Sequence, residues 1–78
     1  MRWRFRFVEY IDGIYRYAYS MDSDELDGEI IYNVSKDVIE VSKPSKNDHS
    51  EFLQSRTRRH FLTIVEEAFP KERAICAG

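Results

Sequence analysis

A chain of 78 residues with 42% hydrophobic and 33% charged side chains and a net charge of −2 is sized for a single domain, residues 1–78, around one modest core. No apolar run is long enough to span a membrane, and the arginines near the N-terminus are not followed by the apolar stretch of a secretory signal. Cys76 is the only cysteine, so an internal disulfide is excluded and a cytoplasmic setting is the expectation.

The first segment, Arg2-Trp3-Arg4-Phe5-Arg6-Phe7, alternates cation and large aromatic residue by residue. Only a β-strand has a side-chain period of two, so Trp3, Phe5 and Phe7 share one face and the arginines the other. Asp12-Gly13 is the signature of a two-residue hairpin turn, and Ile14 to Tyr19 alternates again. With that turn, Ile11 faces Ile14, Glu9 faces Arg16, Phe7 faces Ala18 and Phe5 faces Ser20. One face then carries Trp3, Phe5, Phe7, Ile11, Ile14 and Ala18. The other carries Arg4, Arg6, Val8 and Tyr10 from the first strand, with Tyr15, Tyr17, Tyr19 and Met21 from the second.

Met21 to Asp27 breaks the alternation with acids and serines and reads as a surface loop closed by Gly28. Glu29 to Val34 is a third strand and Val38 to Ser42 a fourth, with a turn at Ser35-Lys36-Asp37. Pro44 marks a connector to a helix that begins near Asp48, capped by Asp48 itself, Asn47 or Ser50. On a helical wheel Leu53, Thr57, Phe61, Ile64, Val65 and Ala68 share a face, with Leu62 and Phe69 at its edge. Pro70 ends the helix at or shortly before Phe69. Ala74 to Ala77 is apolar enough to return as a short fifth strand.

These elements predict an α+β fold, ββββα with a short C-terminal strand. One long helix packs on one face of a four- or five-stranded antiparallel sheet. The expected core is Trp3, Phe5, Phe7, Ile30, Tyr32, Phe61 and Ile64.

One helix leaves the other sheet face open. Arg4, Arg6, Val8, Tyr10, Tyr15, Tyr17, Tyr19 and Met21 are the candidate partner-binding residues, since Tyr and Arg are enriched at protein interfaces. The expected role is a non-enzymatic interaction module that binds another protein or a second copy of itself. The alternative is single-stranded nucleic acid, with bases stacked on the tyrosines, phosphates on these arginines, and help from Arg56, Arg58 and Arg59 on the helix. An acidic total charge counts against that alternative, because such affinity comes largely from phosphate neutralisation. The total conceals an uneven distribution. Residues 1–20 hold four arginines against two acids, residues 21–51 nine acids against three lysines, and the remainder five basic against three acidic residues.

No catalytic, cofactor or metal site is expected. The loop Asp22 to Glu29 resembles a calcium loop only faintly: Gly28 comes one place late and the distal glutamate is missing. His49 and His60 do not have zinc spacing, and His60 falls on the polar side of the helix. Glu66 and Glu67 are adjacent on a helix and diverge. Nothing in the chain assembles nucleophile, base and stabiliser.

Overall fold

Asp12 and Gly13 both take left-handed backbone, at φ 51° and 80°, as a two-residue turn must to match the twist of its strands. Ile11 therefore faces Ile14, and Glu9 faces Arg16. The computed structural model, which describes residues 1–77, extends this hairpin into a five-stranded antiparallel sheet. The elements in chain order are β1 (Arg2–Ile11), β2 (Ile14–Met21), β3 (Gly28–Asn33), β4 (Val38–Lys43), α1 (Glu51–Glu66) and β5 (Glu72–Cys76). The sheet order is β4-β3-β2-β1-β5, with α1 across one face. This is the α+β arrangement expected from the sequence, fifth strand included.

Beyond Glu9 the hairpin departs from the expected register. Phe7 pairs with Tyr17 and Glu9 with Arg16, which are consecutive on β2, so Val8 is an extra, unpaired residue on β1. Every pair towards the N-terminus then shifts by one: Arg6 faces Ala18, Phe5 faces Tyr19 and Trp3 faces Met21. A one-residue shift exchanges the faces of a strand. Tyr15, Tyr17, Tyr19 and Met21 thus join Trp3, Phe5 and Phe7 under the helix, where they were expected on the opposite face. Ile11, Ile14 and Ala18, expected on the same face as Trp3, Phe5 and Phe7, lie on the uncovered side. The bulge gathers the large side chains on the one face a single helix can cover.

The core consists of Trp3, Phe5, Tyr17, Tyr19, Met21, Ile30, Tyr32, Phe61 and Ile64, with Phe7, Tyr15, Ile39, Val41 and Phe69 packed around it. Phe61 is its centre, meeting Phe5 and Tyr17 edge-on, each at 5.3 Å between centroids. Gly28 is required by close approach. A Cβ there would lie 2.5 Å from the Tyr19 ring and 2.8 Å from the Ser45 amide.

Ser50 caps the helix, its hydroxyl accepting from the Leu53 amide at 3.1 Å. This frees Asp48 for a buried chain of hydrogen bonds. Trp3 Nε1 donates to Thr57 Oγ1 at 2.8 Å, and Thr57 Oγ1 and the Tyr19 hydroxyl donate to Asp48 Oδ2 at 2.8 and 2.7 Å. The Ser45 amide in turn donates to the Tyr19 hydroxyl at 3.0 Å. Two strands, the connector and the helix are fastened at one point. The helix ends after Glu66, where the amides of Ala68 and Phe69 turn back to the carbonyls of Val65 and Ile64. Ala68 and Phe69 both have positive φ, so Pro70 follows the stop rather than making it.

Candidate functional site

The bulge divides the eight candidate interface residues. Tyr17, Tyr19 and Met21 are at most 3% exposed beneath α1 and present no surface in the folded chain. Tyr15 is half-buried, its ring stacked on Phe69 at 3.6 Å. Tyr10 is exposed but leans on Tyr15 at 4.4 Å between centroids. Val8 is exposed at the bulge, and Arg4 and Arg6 lie on the open face. The expected tyrosine platform is therefore a core feature.

Burial explains how the inner tyrosines titrate. Burial first, and the neighbouring Tyr15 second, push Tyr17 up to about 12, and its hydroxyl donates to the Pro70 carbonyl at 2.6 Å. Tyr19 is raised well above the usual phenol range by burial, and further by its hydrogen bond to Asp48. With Trp3, Asp48 and Thr57 all fully buried, this chain of groups is shut off from solvent.

The uncovered face has two unlike halves. Towards the chain's N-terminus it is a lattice of paired charges. Arg2 and Arg4 both reach Asp24, at 3.0 and 3.4 Å, and Arg6 meets Glu72 at 3.0 Å. Arg16 sits between Glu9 and Glu29, each 3.1 Å away, although its contact with Glu9 is not aligned as a hydrogen bond. The hydrogen bond from Ser42, with Arg16 alongside, holds Glu29 below the usual carboxylate range against the opposing effect of burial. Each such exposed pair adds at most about 1 kcal/mol, but together they occupy every arginine of the face.

Towards the turns the face becomes apolar. Ile11, Ile14, Asn33 and Val38 stand side by side across four strands, with Ile31 behind them. Ile11 is 56% exposed and Val38 49%. A shallow depression lined by Ile31, Asn33, Lys36, Val38 and Glu40 lies at this end. The sequence pattern locates Ile11 and Ile14 as a facing pair but puts them on the face that carries Trp3, Phe5 and Phe7. The bulge reverses that assignment, and nothing in the alternation announces it.

Of the three helix arginines, only Arg56 lies against a core ring. His60, expected to be solvated, lies 4.2 Å from the Trp3 ring between centroids, with the Arg56 guanidinium 5.7 Å from the same ring. Burial, then the charges of Arg56 and Arg59, lower the pKa of His60. Arg58 pairs with Glu51. Phe52 and Leu62 are exposed on the outward side of α1, where Leu62 had been expected to border the core. Cys76 is exposed on β5. Among the described residues no three His, Cys, Asp or Glu side chains converge as metal ligands, and no helix is long and apolar enough to cross a membrane. Compared with known proteins, the chain matches no family model, no curated protein and no solved structure.

Proposed function

We propose that this protein is a small, non-enzymatic interaction module that takes another protein chain on its uncovered sheet face, at the end formed by Ile11, Ile14, Ile31 and Val38. The observation that carries this reading is the cluster of Ile11, Ile14 and Val38 around Asn33, with Ile31 behind, next to a half of the same face in which the arginines are already paired. Contiguous exposed apolar surface with a charged border has the composition of an interface core and rim. Phe52 and Leu62 on the helix are separated by polar residues, and isolated exposed apolar side chains are ordinary.

The nucleic-acid alternative has less support. Its stacking platform needs accessible rings, and Tyr17 and Tyr19 are buried. Its phosphate contacts would have to displace Asp24, Glu72, Glu9 and Glu29 from the arginines. A labelled single-stranded oligonucleotide at low salt tests it directly. No binding there would end that reading.

The test of the main reading places a photo-crosslinking amino acid at Ile11, and separately at Phe52, in cells expressing the protein. A discrete protein adduct from position 11, absent from position 52 and lost on adding Val38→Asp, is the expected result. Equal adducts from both positions, or none from position 11, would sink it.

A further inference from the structure

The two edges of the sheet are finished differently. β4 carries an irregularity opposite Glu29 and Ile30, its Ser42 hydroxyl turns back onto Glu29, and it runs into Lys43-Pro44. Bulges, lysine and proline are the usual means of keeping an edge from pairing. β5 has neither bulge nor proline. The hydrogen-bonded pairs Met1 with Ala77 and Phe7 with Lys71 fix the alternation along it. Arg73 and Ile75 therefore bond inwards to β1, while the backbone groups of Glu72, Ala74 and Cys76 point away from the sheet.

We propose that β5 pairs with β5 of a second copy, antiparallel about a two-fold axis at Ala74, joining the two sheets edge to edge. Centring on Ala74 gives the longest overlap and sets Glu72 opposite Cys76 of the second copy. The row across the open face then reads Arg6, Glu72, then Cys76 and Arg2 of the second copy, with no like charges adjacent. Symmetry repeats that match on the other side of the axis, which a foreign strand does not guarantee. The side chain at the axis is a single methyl group. Arg73, the one cation on the opposite side of this strand, is drawn back to Glu67 at 2.9 Å. Its Nη1 also donates to the Ala74 carbonyl, which keeps a second lone pair for a partner strand. This surface is separate from the apolar cluster, so either can fail without the other.

Sedimentation across a dilution series, combined with residue-resolved amide exchange by NMR, tests the pairing. The mass should rise above 9.3 kDa with concentration. The amides of Glu72, Ala74 and Cys76 should become protected in step, while those of Arg73 and Ile75 stay protected throughout. Ala74→Pro removes an outward N–H without touching a bond to β1, and should give a folded monomer. Should that variant not fold, the exchange pattern of the wild type still decides. A mass of 9.3 kDa at every concentration would overturn the proposal. So would a dimer in which those three amides are unchanged, or one abolished by Ile11→Asp and kept by Ala74→Pro.

Discussion

The Tyr19 hydroxyl donates to Asp48 Oδ2 across 2.7 Å at a point where neither residue is exposed. Asp48 lies just before the helix and Tyr19 in the second strand, so this bond, with Thr57 and Trp3 behind it, sets how α1 sits on the sheet. Asp48 Oδ1 is buried too, with no hydrogen-bond partner. Removing the shared acceptor strands the Tyr19 hydroxyl, at about 1–3 kcal/mol for a buried group left unpaired, whereas Thr57 keeps the Leu53 carbonyl at 3.2 Å. Asp48→Ala should therefore lower the unfolding free energy by roughly 1–3 kcal/mol. Asp48→Asn keeps an acceptor in place and should cost clearly less. Urea unfolding of both variants checks the order; equal losses would mean that volume, not the acceptor, is what matters.

The bulge at Val8 makes a sharper prediction about register. Phe7 and Glu9 already pair with neighbouring residues of β2, Tyr17 and Arg16, so deleting Val8 leaves a regular ladder with every large side chain on its present face. Deleting Arg6 instead would move Trp3 and Phe5 to the open face. The Val8 deletion should give a folded protein by near-ultraviolet circular dichroism, and the Arg6 deletion should not.

The bulge also separates what was legible in the sequence from what was not. The sequence of elements along the chain, the turn, the helix and the fifth strand follow from periodicity and from Asp12-Gly13, because these are local signals. The two alternations on either side of Val8 are both regular, and both were read correctly as strands. Their relative phase depends on one residue whose displacement is favoured only by the helix that arrives forty residues later. Core members on β1, β3 and α1 were therefore identified, while Tyr17, Tyr19 and Met21 were placed outside. The same error hid the apolar cluster, since Ile11, Ile14 and Ala18 change face with them. Asp48 is a parallel case. Its sequence position suits a cap, and only the buried hydroxyls of Tyr19 and Thr57 give it a better partner.

Ala68 occupies the left-handed position just past the end of α1, at φ 60°, and its side chain is exposed. Glycine is the residue usually found there, because a Cβ in this conformation costs about 1–2 kcal/mol. Ala68→Gly removes that strain with little loss of packing and should raise stability by roughly 0.5–1 kcal/mol after the added freedom of the unfolded chain. An unchanged or lower denaturation midpoint would show that this turn is not strained.

Burial of Tyr17 and Tyr19 predicts their behaviour in alkali. Both phenols are raised above their ordinary value of 10.0, Tyr17 to about 12. Above pH 10 the unfolded chain releases these protons and the folded chain keeps them, so stability falls as pH rises. Absorbance of phenolate in the native protein should show these two tyrosines ionising only as the fold is lost. Tyr17→Phe should make the alkaline loss of stability shallower. A single titration step near pH 10 with an intact circular dichroism spectrum would contradict the buried placement.

His60 gives the corresponding test in mild acid. Its pKa in the folded protein is lowered by contact with the core, and by Arg56 and Arg59, from an ordinary value of 6.5. As pH falls through 6.5 the unfolded chain takes up the proton before the folded chain does. The stability present above that pH is lost progressively down to the lower folded value. Asp27 and Glu29 act the same way further down, since both are lowered from 3.8 and 4.5, chiefly by hydrogen bonds from Ser45 and Ser42. Unfolding midpoints measured from pH 7.5 to pH 3 should thus decline in two stages, the first setting in as pH falls through 6.5 and the second in the carboxylate range. His60→Gln should flatten the first stage and leave the second. If the variant keeps the full decline between pH 7 and pH 5.5, the imidazole lies in solvent and the packing of Trp3 against the helix is not as described.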